Sequence, residues 1–482
     1  MKDLTQGSVT KHLLTFSAFI AVSMLFQTMY FLADLYFVGR LGKEAIAAVG
    51  MSGNLMMVVL AITQMLGVGI TTLVSHAVGR KDQARATLVF NQGFLLSLMV
   101  GAAFTVVSFA LRGAYCHWLA ADDVTAGLGI QYLNWFLPAL MMQFVIIAMG
   151  AALRGSGVVQ PTMIIQVLTV LVNIVLAPVL TLGWGTGHAF GVAGAGMASF
   201  FAIGLGVILF WYYFMRMQSY LKLVVAEWKP IAEIWWGMIK VGLPAGGEFA
   251  LMAVYMSLVY WIIRDFGAAA QAGFGIGGRL MQAMFLPVMS IAFAAAPLAG
   301  QNFGARNGAR VRETFRSAAF LVTGIMIVIT ALSHIAPEGM IRGFSQDPAV
   351  IAFGAEYLRI ISFNFVAAGL VFTTSSIFQG MGHTVPPLVC STLRIVVFAL
   401  PAYLLSLRPG FQIDEVWYLS VTTVTLQAVG VIFLLLREFK TRLVFAPLPA
   451  GGTALVPAGA ATAPDAEPLP GWTPTTPAPE VD

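Results

Sequence analysis

Asp34 stands inside an apolar run from Leu13 to Val38, and a carboxylate in such surroundings can bind a cation or take up and release a proton. Ser23, Gln27 and Tyr30 precede it in steps of 4, 3 and 4 residues, so on a helix the four side chains share one face. Keeping an ionisable group within a membrane helix costs roughly 2.5–3.5 kcal/mol on insertion scales, which marks Asp34 as functional unless it is solvated or paired with Arg40. A second polar stripe of the same period, Thr162, Gln166, Thr169 and Asn173, lies further along the chain. In the second half, Glu248 follows Pro244 by four residues, and a proline there frees a backbone carbonyl and can open the helix. Arg394 lies eight residues past Pro386, too deep in its apolar run to reach the interface easily. Glu248 therefore either handles a cation or a proton, or is held by Arg394 as a permanent partner. Met252, one turn beyond Glu248, supplies a flexible thioether suited to varied hydrophobic cargo, although most of the 24 methionines and 35 phenylalanines read as ordinary packing.

The elements that position these groups follow from composition. Hydrophobic residues make up 59% of the 482 positions and charged residues 10%, with a mean hydropathy of +0.86, which excludes a water-soluble protein. A membrane helix uses about 20 apolar residues, and twelve such runs can be placed between residues 13 and 436, among them 161–182, 238–263, 351–378 and 385–407. The predicted fold class is thus an all-α polytopic membrane protein in contact with the lipid bilayer. The first run is too long for a signal-peptide core and reads as an uncleaved helix. Cys116 and Cys390 are too far apart for a disulfide framework or a metal knuckle, and no metal site is expected. The net charge of +5 reads as topology rather than nucleic-acid binding. Lys2, Lys11, Arg80, Lys81, Arg85 and Arg306 fall in segments that a cytoplasmic N-terminus would place inside, so both termini are expected in the cytoplasm.

The two halves repeat in register. Gly42 and Gly267, Gly79 and Gly304, Tyr132 and Tyr357, Gly155 and Gly380, Gly157 and Gly382, and Pro161 and Pro386 are each 225 positions apart. Six helices precede the repeat point, so the halves share an orientation and should flank a central cleft. The expected organisation is a cytoplasmic N-terminus (1–12), a six-helix bundle (13–216), a cytoplasmic linker (217–237), a second six-helix bundle (238–436) and a Pro-rich disordered cytoplasmic tail (437–482).

The segment after the first helix, the Arg154–Pro161 loop with its echo at Gln379–Pro386, and the stretch from Gly300 to Ala305 resemble the multidrug and toxic compound extrusion (MATE) family over about residues 10–440. The resemblance implies a twelve-helix antiporter of the bacterial inner membrane that expels organic, chiefly cationic, compounds in exchange for protons or sodium ions, without a cofactor or nucleotide hydrolysis. It places Asp34 at the family's first-helix aspartate, with Gln27, Tyr30 and Asn173 beside it as the cation-coupling site. Glu248, Arg394, Gln166 and Met252 then form a substrate or proton site. Where many members carry a further acidic or amide residue, four positions after Asn173, this chain has Ala177, which removes an oxygen donor and favours protons over sodium. The expected partners are small amphiphilic or cationic molecules, and the expected state is a monomer.

Competing readings are weaker. A lipid-linked precursor flippase of related fold would need a strongly basic cleft, whereas only Arg279, Arg359 and Arg394 fall within helices. Gly273, Gly275 and Gly278 match the dinucleotide glycine pattern but follow no strand, and read as packing glycines. His76 beside Ser75 lacks the partners of a catalytic pair, so an enzyme is not expected.

Overall fold

The computed structural model describes residues 3–218 and 220–445. Its helices are α1 (Val9–Gly39), α2 (Lys43–Gly79), α3 (Gln83–Leu119), α4 (Asp123–Gly155), α5 (Gln160–Leu182), α6 (Gly191–Arg216), α7 (Ala232–Ile263), α8 (Ala268–Gly304), α9 (Gly308–Ile335), α10 (Pro337–Arg342), α11 (Pro348–Ile361), α12 (Asn364–Met381), α13 (Val385–Ser406) and α14 (Asp414–Arg442). Eleven are long and apolar enough to cross a membrane. The run expected as one helix over 351–378 is instead the pair α11 and α12, bent by 57°, and the spans number up to twelve when this pair is taken as one. The bend has a local cause: Thr330 of α9 donates to the Ser362 carbonyl at 3.0 Å, and Ser362 Oγ turns back to the Arg359 carbonyl at 2.9 Å, so side chains take over part of the ladder.

Local chemistry repeats with the sequence. Asp82 caps α3 and Asn307 caps α9, each accepting from the backbone N–H three residues on, and Asp122 and Asp347 cap α4 and α11. Gly157 and Gly382 take left-handed φ values of +80° and +74°, which reverse the chain so that Pro161 and Pro386 can open α5 and α13. Several expected boundaries move. The first helix begins at Val9, where Ser8 supplies the cap, α7 begins at Ala232, and α14 runs to Arg442. The Pro-rich stretch expected to be disordered lies, beyond Phe445, outside the described residues.

The two halves meet at the face that carries the N-terminal segment, and glycine makes this possible. A Cβ on Gly79 would stand 2.0 Å from the Gln301 carbonyl oxygen, and one on Gly304 would stand 2.3 Å from that of His76. A Cβ on Gly242 of α7 would stand 1.9 Å from the Met65 carbonyl oxygen. Hydrogen bonds cross the same layer in a pseudo-symmetric pair: His76 Nε2 to the Gly380 carbonyl at 2.7 Å, and Gln301 Nε2 to the Gly155 carbonyl at 2.9 Å. His76 and Gln301 are themselves 225 positions apart, so the residue that suggested half of a catalytic pair is a clasp between the halves. The N-terminal segment joins this layer: Leu4 is fully buried, its N–H donating to Gln301 and its carbonyl accepting from Asn302 and Arg310. Toward the opposite face a Cβ on Gly50, Gly53 or Gly278 would meet nothing within 4 Å. The described halves therefore pack backbone to backbone at the face that carries the N-terminal segment. Gly273 does pack closely, against Val350 and Gly354, but Gly278 does not, which corrects its reading as a packing glycine.

The linker between the halves is held by two amides of α3. Asn91, fully buried, accepts from Val224 N–H at 2.9 Å and from Trp228 Nε1 at 3.2 Å, and donates to the Lys222 carbonyl at 2.8 Å. Gln92 donates to the Lys229 carbonyl at 2.7 Å and accepts from Ile231 N–H at 2.9 Å. Replacing Asn91 by Ala strands buried partners, each worth about 1–3 kcal/mol when left unpaired. Asn91→Ala is expected to lower the unfolding temperature in detergent by several degrees, and Asn91→Asp at least as much, because a carboxylate oxygen would replace the amide that donates to the Lys222 carbonyl at 2.8 Å and to Glu227 Oε2 at 3.0 Å; parental melting of either variant would contradict this.

Candidate functional site

Asp34 lies near the C-terminal end of α1, the end away from the N-terminal segment. It is 9% exposed, and its Oδ1 atom has no hydrogen-bond partner. Tyr30, one turn earlier, shares a 2.7 Å hydrogen bond with Ser199 of α6, which ties α1 to the first bundle at this level. Arg40 is turned away, its guanidinium donating to Tyr36 and lying over the rings of Tyr36 and Trp184, so the solvated or ion-paired alternative for Asp34 is not what the geometry shows. From α5, Asn173 is fully buried, and neither its Nδ2 nor its Oδ1 atom has a partner. A carboxyl oxygen and an amide are thus buried in the same bundle without a protein hydrogen-bond partner, an arrangement that ordinarily costs several kcal/mol and in native proteins calls for an explanation.

Not every expected member joins this cluster. Gln27 is exposed on α1, and Gln166 is half-buried on α5. Ala177 is fully buried, as its place on the Asn173 face requires. Two residues were missed. Tyr132 of α4, 2% exposed, lies within electrostatic reach of both Asp34 and Tyr30, and Ser199 supplies the partner of Tyr30. The signal for Tyr132 was present, since a phenol recurs at Tyr357 in register, but it was read as a repeat marker only.

The second bundle holds a different set. Glu248 of α7 accepts from Ser375 Oγ of α12 at 2.7 Å. Arg394 of α13 does not pair with it; its guanidinium stacks over Tyr255 of α7 at 4.5 Å, and its Nε atom is buried without a partner. The ion pair offered as one reading of the sequence is absent because Arg394 lies beside Tyr255, two turns along α7 from Glu248. Tyr255 OH and Ser420 Oγ are 2.9 Å apart, and Asn364 Nδ2 donates to the same Ser420 at 3.3 Å. A phenol–serine bond occurs in each half, with Tyr30 and Tyr255 in register but their serine partners, Ser199 and Ser420, one turn out of it. The carboxylates do not repeat: Glu248 matches Ser23, and Asp34 matches Val259. Met252 is 46% exposed on the same helix as Glu248.

A helical bundle with up to twelve apolar spans, built from two like halves that close at one end, and with buried polar groups inside each half, defines a multi-pass membrane transporter. The chain belongs to the MatE family, whose model matches residues 20–179 and again 244–404, once in each half. Members of this family are transporters, not enzymes. Among curated proteins, the chain is 26% identical over 403 residues to the multidrug export protein MepA of Staphylococcus haemolyticus, covering 82% of this chain and 88% of that one. It is 27% identical over 383 residues to the probable multidrug resistance protein NorM of Thermotoga maritima (78% and 81% covered), and 21% identical over 406 residues to the FAD transporter of Shewanella oneidensis (83% and 89%). A MOP superfamily transporter from Pyrococcus furiosus shares the fold, with a TM-score of 0.85 and 23% identity, over 92% of this chain and 98% of that one.

Proposed function

We propose that this protein exports organic, chiefly cationic, compounds by exchanging them for protons, with both termini in the cytoplasm and one chain as the working unit. The reading is carried by Asp34, buried on α1 with a carboxyl oxygen that no described protein group satisfies. Such a carboxyl can hold a proton when dry and give it up when its end of the bundle is wetted. Ala177 leaves the Asn173 face without the extra oxygen that a sodium ion would use. Coupling requires that the two forms of Asp34 prefer different openings of the halves, because a ligand with equal affinity for both states shifts nothing. The names of two relatives, a multidrug export protein (MepA) and a probable multidrug resistance protein (NorM), support an organic cargo.

The test is transport by the purified protein in liposomes, with proton and sodium gradients imposed separately. An imposed pH gradient is expected to drive uptake of a lipophilic cationic dye, and a sodium gradient at fixed pH to change it by less than about twofold. Uptake driven by sodium alone would overturn the coupling assignment.

A further inference from the structure

The second bundle carries a cationic group, Arg394, that has no carboxylate partner within ion-pair distance among the described residues, although every other constraint on a guanidinium inside a membrane bundle favours pairing it. Its contact with Tyr255 holds the planar group in place and leaves its buried Nε atom without a partner. An independent observation points to the same wall. Asn364, 6% exposed and bonded through Nδ2 to Ser420, keeps a buried Oδ1 with no partner, and Ser420 in turn bonds to the Tyr255 phenol.

Glu248 lies on the same face of α7 as Tyr255, seven residues earlier, and seven residues of helix rise about 10 Å. Cys390, one turn before Arg394 on α13, is within electrostatic reach of Glu248, so the two walls run side by side. An acceptor of positive charge and a donor to negative charge are therefore stacked along one wall, each held by a neutral partner, Ser375 for Glu248 and Tyr255 for Arg394, rather than by each other.

We infer that Arg394 is an anion subsite, and that the second bundle accepts amphiphiles carrying a carboxylate together with a cationic group: the carboxylate on Arg394 and the cation toward Glu248. A planar guanidinium suits a carboxylate better than a point charge would, because it can donate two parallel hydrogen bonds. This inference rests on the export reading above and narrows its cargo from simple cations to zwitterions.

Rhodamine B and rhodamine B ethyl ester differ only in whether the carboxylate is free or esterified, so they separate the two ideas. Binding of both dyes to the purified full chain is measured for the parent, Arg394→Gln and Arg394→Lys. Arg394→Gln is expected to weaken rhodamine B by about tenfold and the ester by less than twofold, and Arg394→Lys to lie between, as loss of a bidentate charge-assisted contact requires. Equal weakening of both dyes, or of neither, would assign Arg394 a packing role and overturn the inference. The parent protein distinguishes the two readings. Binding of the ester but not of rhodamine B refutes the anion subsite and leaves cation export standing. Binding of rhodamine B but not of the ester supports the subsite and refutes export of simple cations, and binding of neither overturns both.

Discussion

Asp34→Asn is expected to reduce proton-driven transport to the level of empty liposomes, a loss of at least about a hundredfold if proton exchange at this one group carries coupling. The substitution changes almost no volume, and it leaves the Tyr30–Ser199 bond, which holds this part of α1 to α6, untouched. The amide cannot exchange a proton, so the two openings of the halves lose the ligand that biases them. Yield, monodispersity and unfolding temperature should match the parent, because the deleted group makes no hydrogen bond through Oδ1 that the fold would miss. Dye binding should persist while transport is lost. Parental transport rates in Asp34→Asn would remove Asp34 from the mechanism, and a collapsed melting curve would make it a structural residue instead.

The second large effect is expected at the closed end. In Gly304→Val a Cβ would be driven to 2.3 Å from the His76 carbonyl oxygen and 2.9 Å from its Cα, and backbone atoms cannot rotate aside as a side-chain tip can. The halves must separate there, which also breaks the His76–Gly380 and Gln301–Gly155 bonds across the layer. Overpacking of this kind costs about 1–3 kcal/mol, enough to move a balanced two-state equilibrium by one to two powers of ten. Transport should fail because the cycle cannot return to a sealed state at this face. The check is thiol labelling at Thr72→Cys, a site 2% exposed in the closed layer, in a background with Cys116 and Cys390 replaced by Ala. Labelling should rise sharply in Gly304→Val and stay at the parental level in Gly278→Ala, where the added methyl meets nothing within 4 Å on the same helix. Unchanged labelling in Gly304→Val would show that the layer does not depend on this close approach.

Much of this was legible before any tertiary contact was known. Composition alone required a helical membrane bundle, because in lipid each segment must satisfy its own backbone. The spacing of 225 also carried more than a fold repeat: Lys81 and Arg306, also in register, both adopt positive φ, the same caps start α3 and α9, and Gly79 and Gly304 return as mates in one crossing. Helical periodicity put Asp34 and Tyr30 on one face, and Thr162 and Asn173 on another, since a step of three or four residues is a property of the chain and not of its neighbours. What sequence could not supply was which of these faces is sealed. Gln27 obeys the period as well as Tyr30 does, yet it is exposed while Tyr30 finds Ser199, because the partner comes from a helix more than 160 positions away. Arg394 and Glu248 attract each other on paper, but their heights on α13 and α7 put Tyr255 beside the guanidinium and Ser375 beside the carboxylate. The bend between α11 and α12 was invisible because an apolar run reads the same whether straight or broken, and the break is made by Thr330 from a neighbouring helix. Periodicity and composition are local and survive in the unfolded chain, whereas burial, pairing and closure depend on which surfaces meet, and only the packed bundle decides that.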